Sequence, residues 1–108
     1  MKIIIGYPPL EGKGSPMLGQ NRQFQWYHVP AYIFPVVPAS AATVLQANGF
    51  DVIWCDGIAQ QWSYPQFVEF VEKEQPDLIA FETKTPVIKQ MWRILGDLKQ
   101  RLPHCKTV

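Results

Sequence analysis

The stretch Gln75-Pro76-Asp77-Leu78-Ile79-Ala80-Phe81-Glu82-Thr83-Lys84-Thr85-Pro86 holds a helix stop, an apolar strand, a polar strand end and a helix start in direct succession. Pro76 closes the helix before it, because proline cannot continue a helical ladder. Asp77–Phe81 reads as the strand that follows, and Lys2–Gly6, the first strand, is a short continuous apolar run of the kind that suits a sheet covered on both faces. Thr85-Pro86 reads as a cap followed by a good first helical residue. Ile88, Met91, Trp92, Leu95 and Leu102 then recur at helical spacing until Pro103.

Reading outward from there, the same alternation repeats. Upstream, Ser63-Tyr64-Pro65-Gln66 is a capping box, with Phe67, Phe70 and Val71 as the apolar stripe of its helix. Before it lies a strand over Asp51–Cys55, ending at Asp56-Gly57. A helix starting near Pro35 or Pro38 is expected to bury Val37, Ala41, Val44 and Leu45 and to end at Asn48-Gly49. The first strand is Lys2–Gly6. Downstream, Lys106-Thr107-Val108 begins a fourth strand. Strands alternating with helices imply right-handed crossovers and a parallel sheet in an α/β fold. The expected unit is one domain over residues 1–108, truncated near the fourth strand and belonging to a longer parent. Between the first strand and the first helix, residues 7–34 read as a long connection, with Gly12, Gly14, Gly19, Pro16 and Pro30 and the aromatics Phe24, Trp26, Tyr27, Tyr32 and Phe34. Connections of this length in compact domains are uncommon and often functional.

Composition narrows the function. An apolar fraction of 47% supports a packed core, and a net charge of +1 offers no basic surplus for nucleic acid. Cys55 and Cys105 form no C-x-x-C pair and read as reduced cytoplasmic thiols. The apolar start Ile3-Ile4-Ile5 ends at Gly6-Tyr7-Pro8-Pro9, too early for a secretory core, and no run is long enough to span a bilayer.

In open parallel sheets, ligands sit beyond the carboxyl ends of the strands, near helix N-termini. Three segments lie there: Tyr7-Pro8-Pro9, Asp56-Gly57 and Glu82-Thr83-Lys84-Thr85. Asp56 either contacts a ligand hydroxyl or closes a turn with Gly57, the turn being the simpler reading. Thr85 either caps a helix or joins a site, and the two are compatible. No G-x-G-x-x-G follows the first strand, and Gly12-Lys13-Gly14-Ser15 lacks the full P-loop spacing. His28 and His104 are far apart, and no spacing marks a metal site. A phosphoacceptor receiver would need an acidic pair after the first strand and a phosphorylatable Asp after the third, where Tyr7-Pro8-Pro9 and Glu82-Thr83 stand.

The whole chain resembles the N-terminal cobalamin-binding domain that precedes a radical S-adenosylmethionine domain. The resemblance rests on Ile3-Ile4-Ile5-Gly6-Tyr7-Pro8-Pro9, on residues 38–52 with their small-residue helix ending in Gly49, on Asp56, on Gln75-Pro76-Asp77-Leu78-Ile79-Ala80 with Glu82-Thr83, and on Lys106-Thr107-Val108. It implies a flavodoxin-like (Rossmann-like) three-layer fold with strand order 2-1-3-4-5 and a corrin on the strand carboxyl ends. The cofactor-binding residues it implies are Tyr7, Pro8, Asp56, Glu82, Thr83, Lys84 and Thr85. The Asp-x-His-x-x-Gly motif that supplies a cobalt-ligating histidine in many cobalamin domains is absent, as is usual in the radical subgroup. A histidine below the cobalt would therefore have to come from His28. The implied parent also uses S-adenosylmethionine and a [4Fe–4S] cluster in a C-terminal domain, where it catalyses methyl transfer or oxidative cyclisation, as enzymes resembling magnesium-protoporphyrin IX monomethyl ester cyclase do. Without cobalamin, the same fold would suit a signalling or nucleotide-binding module.

Overall fold

A computed structural model of the protein describes residues 1–18, 24–30 and 33–108. The chain runs β1 (Lys2–Tyr7), β2 (Ser15–Met17), β3 (Gln25–Tyr27), α1 (Val36–Ala47), β4 (Asp51–Asp56), α2 (Tyr64–Glu74), β5 (Leu78–Phe81), α3 (Ile88–Arg101) and β6 (Lys106–Thr107). The main sheet is parallel, in the order β4-β1-β5-β6. β1 pairs with β4 from Lys2↔Asp51 to Tyr7↔Asp56, and with β5 from Ile3↔Leu78 to Gly6↔Phe81. Counting its strands along the chain, the order is 2-1-3-4, and the fold is three-layer and flavodoxin-like.

The reversal of direction after β4 decides the layers. A right-handed crossover from β1 out to β4 and others back to β5 and β6 place α1 on one face and α2 with α3 on the other. The α2–α3 side is the dense one. Ile4, Cys55, Ile79 and Phe81 of the strands meet Phe67 and Val71 of α2 and Met91 and Leu98 of α3 in one buried cluster. β1 is the middle of both layers: Ile3, Ile4 and Ile5 are all buried, as the unalternated run requires.

The capping box at α2 is present. Ser63 N donates to Gln66 Oε1 at 2.9 Å, and Ser63 Oγ accepts from Gln66 N at 3.4 Å. Gln75 closes the helix in the left-handed region at φ 47°.

Several sequence expectations need correction. Thr85 is not a side-chain cap: it opens a short 3-10 turn, Thr85–Val87, and makes no capping hydrogen bond. Pro86 sits within that turn, and the α-helix proper starts at Ile88. On α3 the buried face is Met91, Ile94 and Leu98, whereas Trp92 is 63% exposed. Trp92 is one residue past Met91 and so points about 100° away from the stripe. On α1, Val37, Ala41 and Val44 are exposed and Leu45 is half-buried. The positions turned inward are Pro38, Ala39, Ala42 and Leu45, all half-buried, over β1 and β4.

Residues 7–34 are not a featureless connection. β2 and β3 form an antiparallel hairpin in the register Ser15↔Tyr27 to Met17↔Gln25. Strands this short, one of them containing Pro16, leave no alternation to read. The hairpin is anchored, since Leu10, Met17 and Leu18 are buried and Phe24 and Trp26 pack against the core. Gly19 and Tyr32 of the expected aromatic and glycine set lie outside the described residues. Cys55 and Cys105 are free and buried, and burial, helped by Asp56, pushes the Cys55 thiol up to about 12. No helix among the described residues is long and apolar enough to cross a membrane.

Candidate functional site

The sheet's topological switch lies between β1 and β5, where the chain leaves in opposite directions. A crevice at the carboxyl ends of such strands is the default ligand position of this architecture. Here one hydrogen bond crosses it. Tyr7, the last residue of β1, donates its hydroxyl proton to Glu82 Oε2 at 2.6 Å. Glu82 Oε1 lies 3.1 Å from Lys84 Nζ, so the carboxylate is held from both sides. Both charged side chains are partly open to solvent.

Tyr7 itself is only 3% exposed. Its ring meets Trp54 edge-on, with centroids 6.4 Å apart and planes at 88°. Burial first, then the hydrogen bond to Glu82, raises its phenol well above the ordinary tyrosine range. The linkage sign follows. A phenol whose folded pKa exceeds the unfolded value of about 10 contributes stability below that pH. The contribution is lost as pH rises toward the folded value. In an alkaline titration followed by phenolate absorbance, Tyr7 is expected to ionise only together with unfolding. Tyr7→Phe should remove that coupled step and cost about 1.5–3 kcal/mol, the range for hydrogen bonds to charged groups. A Tyr7 that ionises reversibly in the folded protein near its ordinary pKa would contradict this geometry.

Thr83 follows Glu82, and its Oγ1 is buried without a hydrogen-bond partner. A buried hydroxyl left unpaired costs about 1–3 kcal/mol, so this atom is the clearest mark of an unfilled role at the rim. Thr85 is exposed at the start of its 3-10 turn.

The other sequence-proposed residues divide. Pro8 is fully buried, so Tyr7 and Pro8 form the floor of the rim and not its lining. Asp56 closes a turn: its Oδ1 accepts from Ala59 N at 2.9 Å and its carbonyl from Gln60 N at 3.0 Å. Gly57 N donates to Tyr7 O at 2.8 Å and ties the β4 exit to the β1 exit. Asp56 also borders a hollow of about 460 Å³ with Phe34, Trp54, Trp62 and Phe70. The structure thus brings Tyr7, Glu82, Thr83 and Lys84 to one place, with Asp56 paired to Tyr7 across the β1–β4 ladder and its side chain tied into the turn that follows. His28 lines a neighbouring cleft of about 330 Å³ with Pro9, Leu10 and Gly57. Among the described residues no three His, Cys, Asp or Glu side chains are grouped to hold a metal ion.

A second polar cluster escaped the sequence reading. Tyr64 donates to Asp97 Oδ2 at 2.6 Å, and Arg101 Nε donates to the same oxygen at 2.9 Å. Arg101 also reaches Glu72 at 3.1 Å and so joins α2 to α3. Only the i,i+4 pair Asp97–Arg101 was visible as a spacing. The cluster borders a groove of about 670 Å³ with Trp62, Gln90 and Arg93. No family model matches this chain, and neither a curated protein nor a solved structure matches it.

Proposed function

We propose that the chain is a cofactor-binding module that holds cobalamin across the carboxyl rim of its sheet. The observation behind this reading is the unpartnered Thr83 hydroxyl beside the Glu82–Lys84 pair, at the switch crevice of a 2-1-3-4 parallel sheet. The donor set fits the group at this edge. A hydroxyl, a carboxylate and an ammonium suit the amide side chains of a corrin and the phosphate of its nucleotide tail. Glu82, Thr83 and Lys84 would hold it, while Tyr7 and Pro8 would act beneath it by fixing Glu82 and the β1 exit. When bound, cobalamin would supply cobalt-centred methyl-transfer or redox chemistry to a companion domain with S-adenosylmethionine and a [4Fe–4S] cluster. The cluster ligands would come from that domain. Cys55 and Cys105 are buried, on β4 and beside β6 at opposite edges of the sheet.

A second reading is a flavodoxin-like module that binds a nucleotide or a signalling partner without cobalamin. It is favoured by the burial of Tyr7 and Pro8, and by the 460 Å³ hollow beside Asp56, a size that suits a smaller ligand. Reconstitution with hydroxocobalamin, desalting and a visible spectrum separate the two. Cobalamin binding predicts one retained equivalent of corrin, and a dissociation constant weakened about tenfold in Thr83→Val, one lost hydrogen bond in a partly buried site. If no corrin is retained by the wild type, the reading fails. A saturable change of Trp54 and Trp62 fluorescence with a nucleotide would then support the alternative.

A further inference from the structure

The hollow beside Asp56 has a lining of one chemical kind. Four aromatic residues border it: Phe34 from the lead-in to α1, Trp54 of β4, Trp62 of the β4–α2 turn and Phe70 of α2. Among the described residues that line it, Asp56 alone is charged. The hollow lies at the β4 edge of the sheet, opposite the β6 edge. Two of its rings are left open to water, Phe34 at 70% exposure and Trp54 at 38%. The other two pack on each other, with centroids 4.9 Å apart. The turn that carries Asp56 and Trp62 is closed by its own backbone: Gln60 N donates to Asp56 O at 3.0 Å, Gln61 N to Ile58 O at 3.1 Å and Trp62 N to Gly57 O at 3.0 Å. Gln61 holds φ at 52°, a left-handed conformation that a non-glycine residue keeps only where its surroundings enforce it. Asp56 Oδ1 is used by Ala59 N, and among the described residues nothing pairs with Oδ2.

We infer that this hollow binds an organic cation of the methylated-ammonium class, a choline-like head held among the aromatic rings with Asp56 as its counter-charge. The residue set selects the ligand. An aromatic face attracts a cation, most strongly when the ring is Trp. N-methyl groups suit such a lining because they need no acceptors, whereas a bare ammonium brings three N–H donors that must be satisfied. An anion would meet the Asp56 carboxylate with no cation in the described lining to offset it. A nucleotide, the smaller ligand of the second reading above, would have to keep its phosphates out. A volume of about 460 Å³ is that of a small-molecule site. The closed turn and the packed rings keep the cost of ordering the site low. The inference does not rest on cobalamin: failure to retain a corrin leaves it standing, and failure to bind a cation leaves the Glu82–Lys84 rim unaffected.

Proton NMR of the ligand tests it. With choline and the full chain, the N-methyl resonance is expected to move upfield saturably, the ring-current mark of a methyl group over an aromatic face. The alcohol 3,3-dimethylbutan-1-ol, which has the shape of choline without its charge, should bind about tenfold more weakly or worse. Asp56→Asn keeps an acceptor for Ala59 N and removes the charge, and should weaken choline about tenfold. Phe34→Ala removes an exposed ring and should weaken it about fivefold, with the circular dichroism unchanged. Trp92→Ala, on α3, should leave binding intact. A trimethyllysine amide titrated in parallel tells a free ligand from a modified side chain, the tighter of the two naming the source. An N-methyl resonance that does not move overturns the inference. So does a neutral alcohol that binds as tightly as choline, choline binding that survives both hollow variants, or adenosine monophosphate that binds the hollow more tightly than either cation.

Discussion

Replacing Gly6 by alanine is expected to be the most damaging single substitution in the sheet. Gly6 lies opposite Cys55 in the β1–β4 ladder, at φ 150°. A Cβ built there would lie 1.7 Å from the Cys55 carbonyl oxygen and 2.6 Å from its carbonyl carbon. Both are backbone atoms of a paired strand, so no side chain can swing away. The strands would have to part at the end of β1, and the backbone would also sit where L residues are strained. Strain and overpacking together put the loss at about 4 kcal/mol or more. That is a large share of the roughly 5–15 kcal/mol that holds a domain of this size. Chemical denaturation followed by circular dichroism measures it. A loss below about 1 kcal/mol would show that β1 and β4 do not meet in the register Gly6↔Cys55.

The position of Gly6 also shows what the sequence could and could not say about the site. The run Ile3-Ile4-Ile5 identified a buried parallel strand because β-branched residues without alternation have few other uses. The capping box at Ser63 was legible because it is a local hydrogen-bond pattern. Asp56 was legible as a turn for the same reason. Tyr7-Pro8-Pro9 was recognised as a strand exit, but its direction was not. Whether a tyrosine at a strand end turns outward to a ligand or inward to a neighbour depends on which strand lies beside it. Its partner Glu82 is 75 residues away. α1 defeated the reading for a different reason. Periodicity identifies a buried face by contrast with a polar one, and residues 33–50 provide no charged contrast. Of the expected stripe Val37, Ala41, Val44 and Leu45, the first three are left open, whereas Leu45 turns toward the sheet together with the smaller Ala39 and Ala42.

These outcomes are connected through the rim. An inward Tyr7 removes one expected contact from the candidate site but fixes another. Glu82 now has a partner on each side, and its neighbour Thr83 is held where its hydroxyl meets nothing. The rim is therefore organised from below: Tyr7 belongs to the buried cluster that includes Phe67 and Phe81, and a defect in that cluster should be felt at the polar residues above it.

Phe67→Ala is the substitution that tests this coupling. Phe67 is completely buried in α2, with its ring centroid 6.1 Å from Tyr64 and 5.9 Å from Phe81. Truncating it removes a full aromatic side chain from a site enclosed by helix and sheet, which costs about 3–5 kcal/mol. Phe34→Ala, at 70% exposure, should change monomer stability by no more than about 0.5 kcal/mol. The more informative effect is at a distance. Phe81 directly precedes Glu82, so freedom gained by its ring loosens the Tyr7–Glu82 hydrogen bond. Tyr7→Phe should therefore cost less in the Phe67→Ala background than in the wild type, which a double-mutant cycle of denaturation free energies measures. In a Thr83→Val background, which leaves the floor untouched, the cost of Tyr7→Phe should be unchanged. If Phe67→Ala destabilises the fold by the full amount yet leaves the cost of Tyr7→Phe the same, then Phe81 does not transmit packing to the rim. In that case Glu82 is positioned by Lys84 and the loop alone.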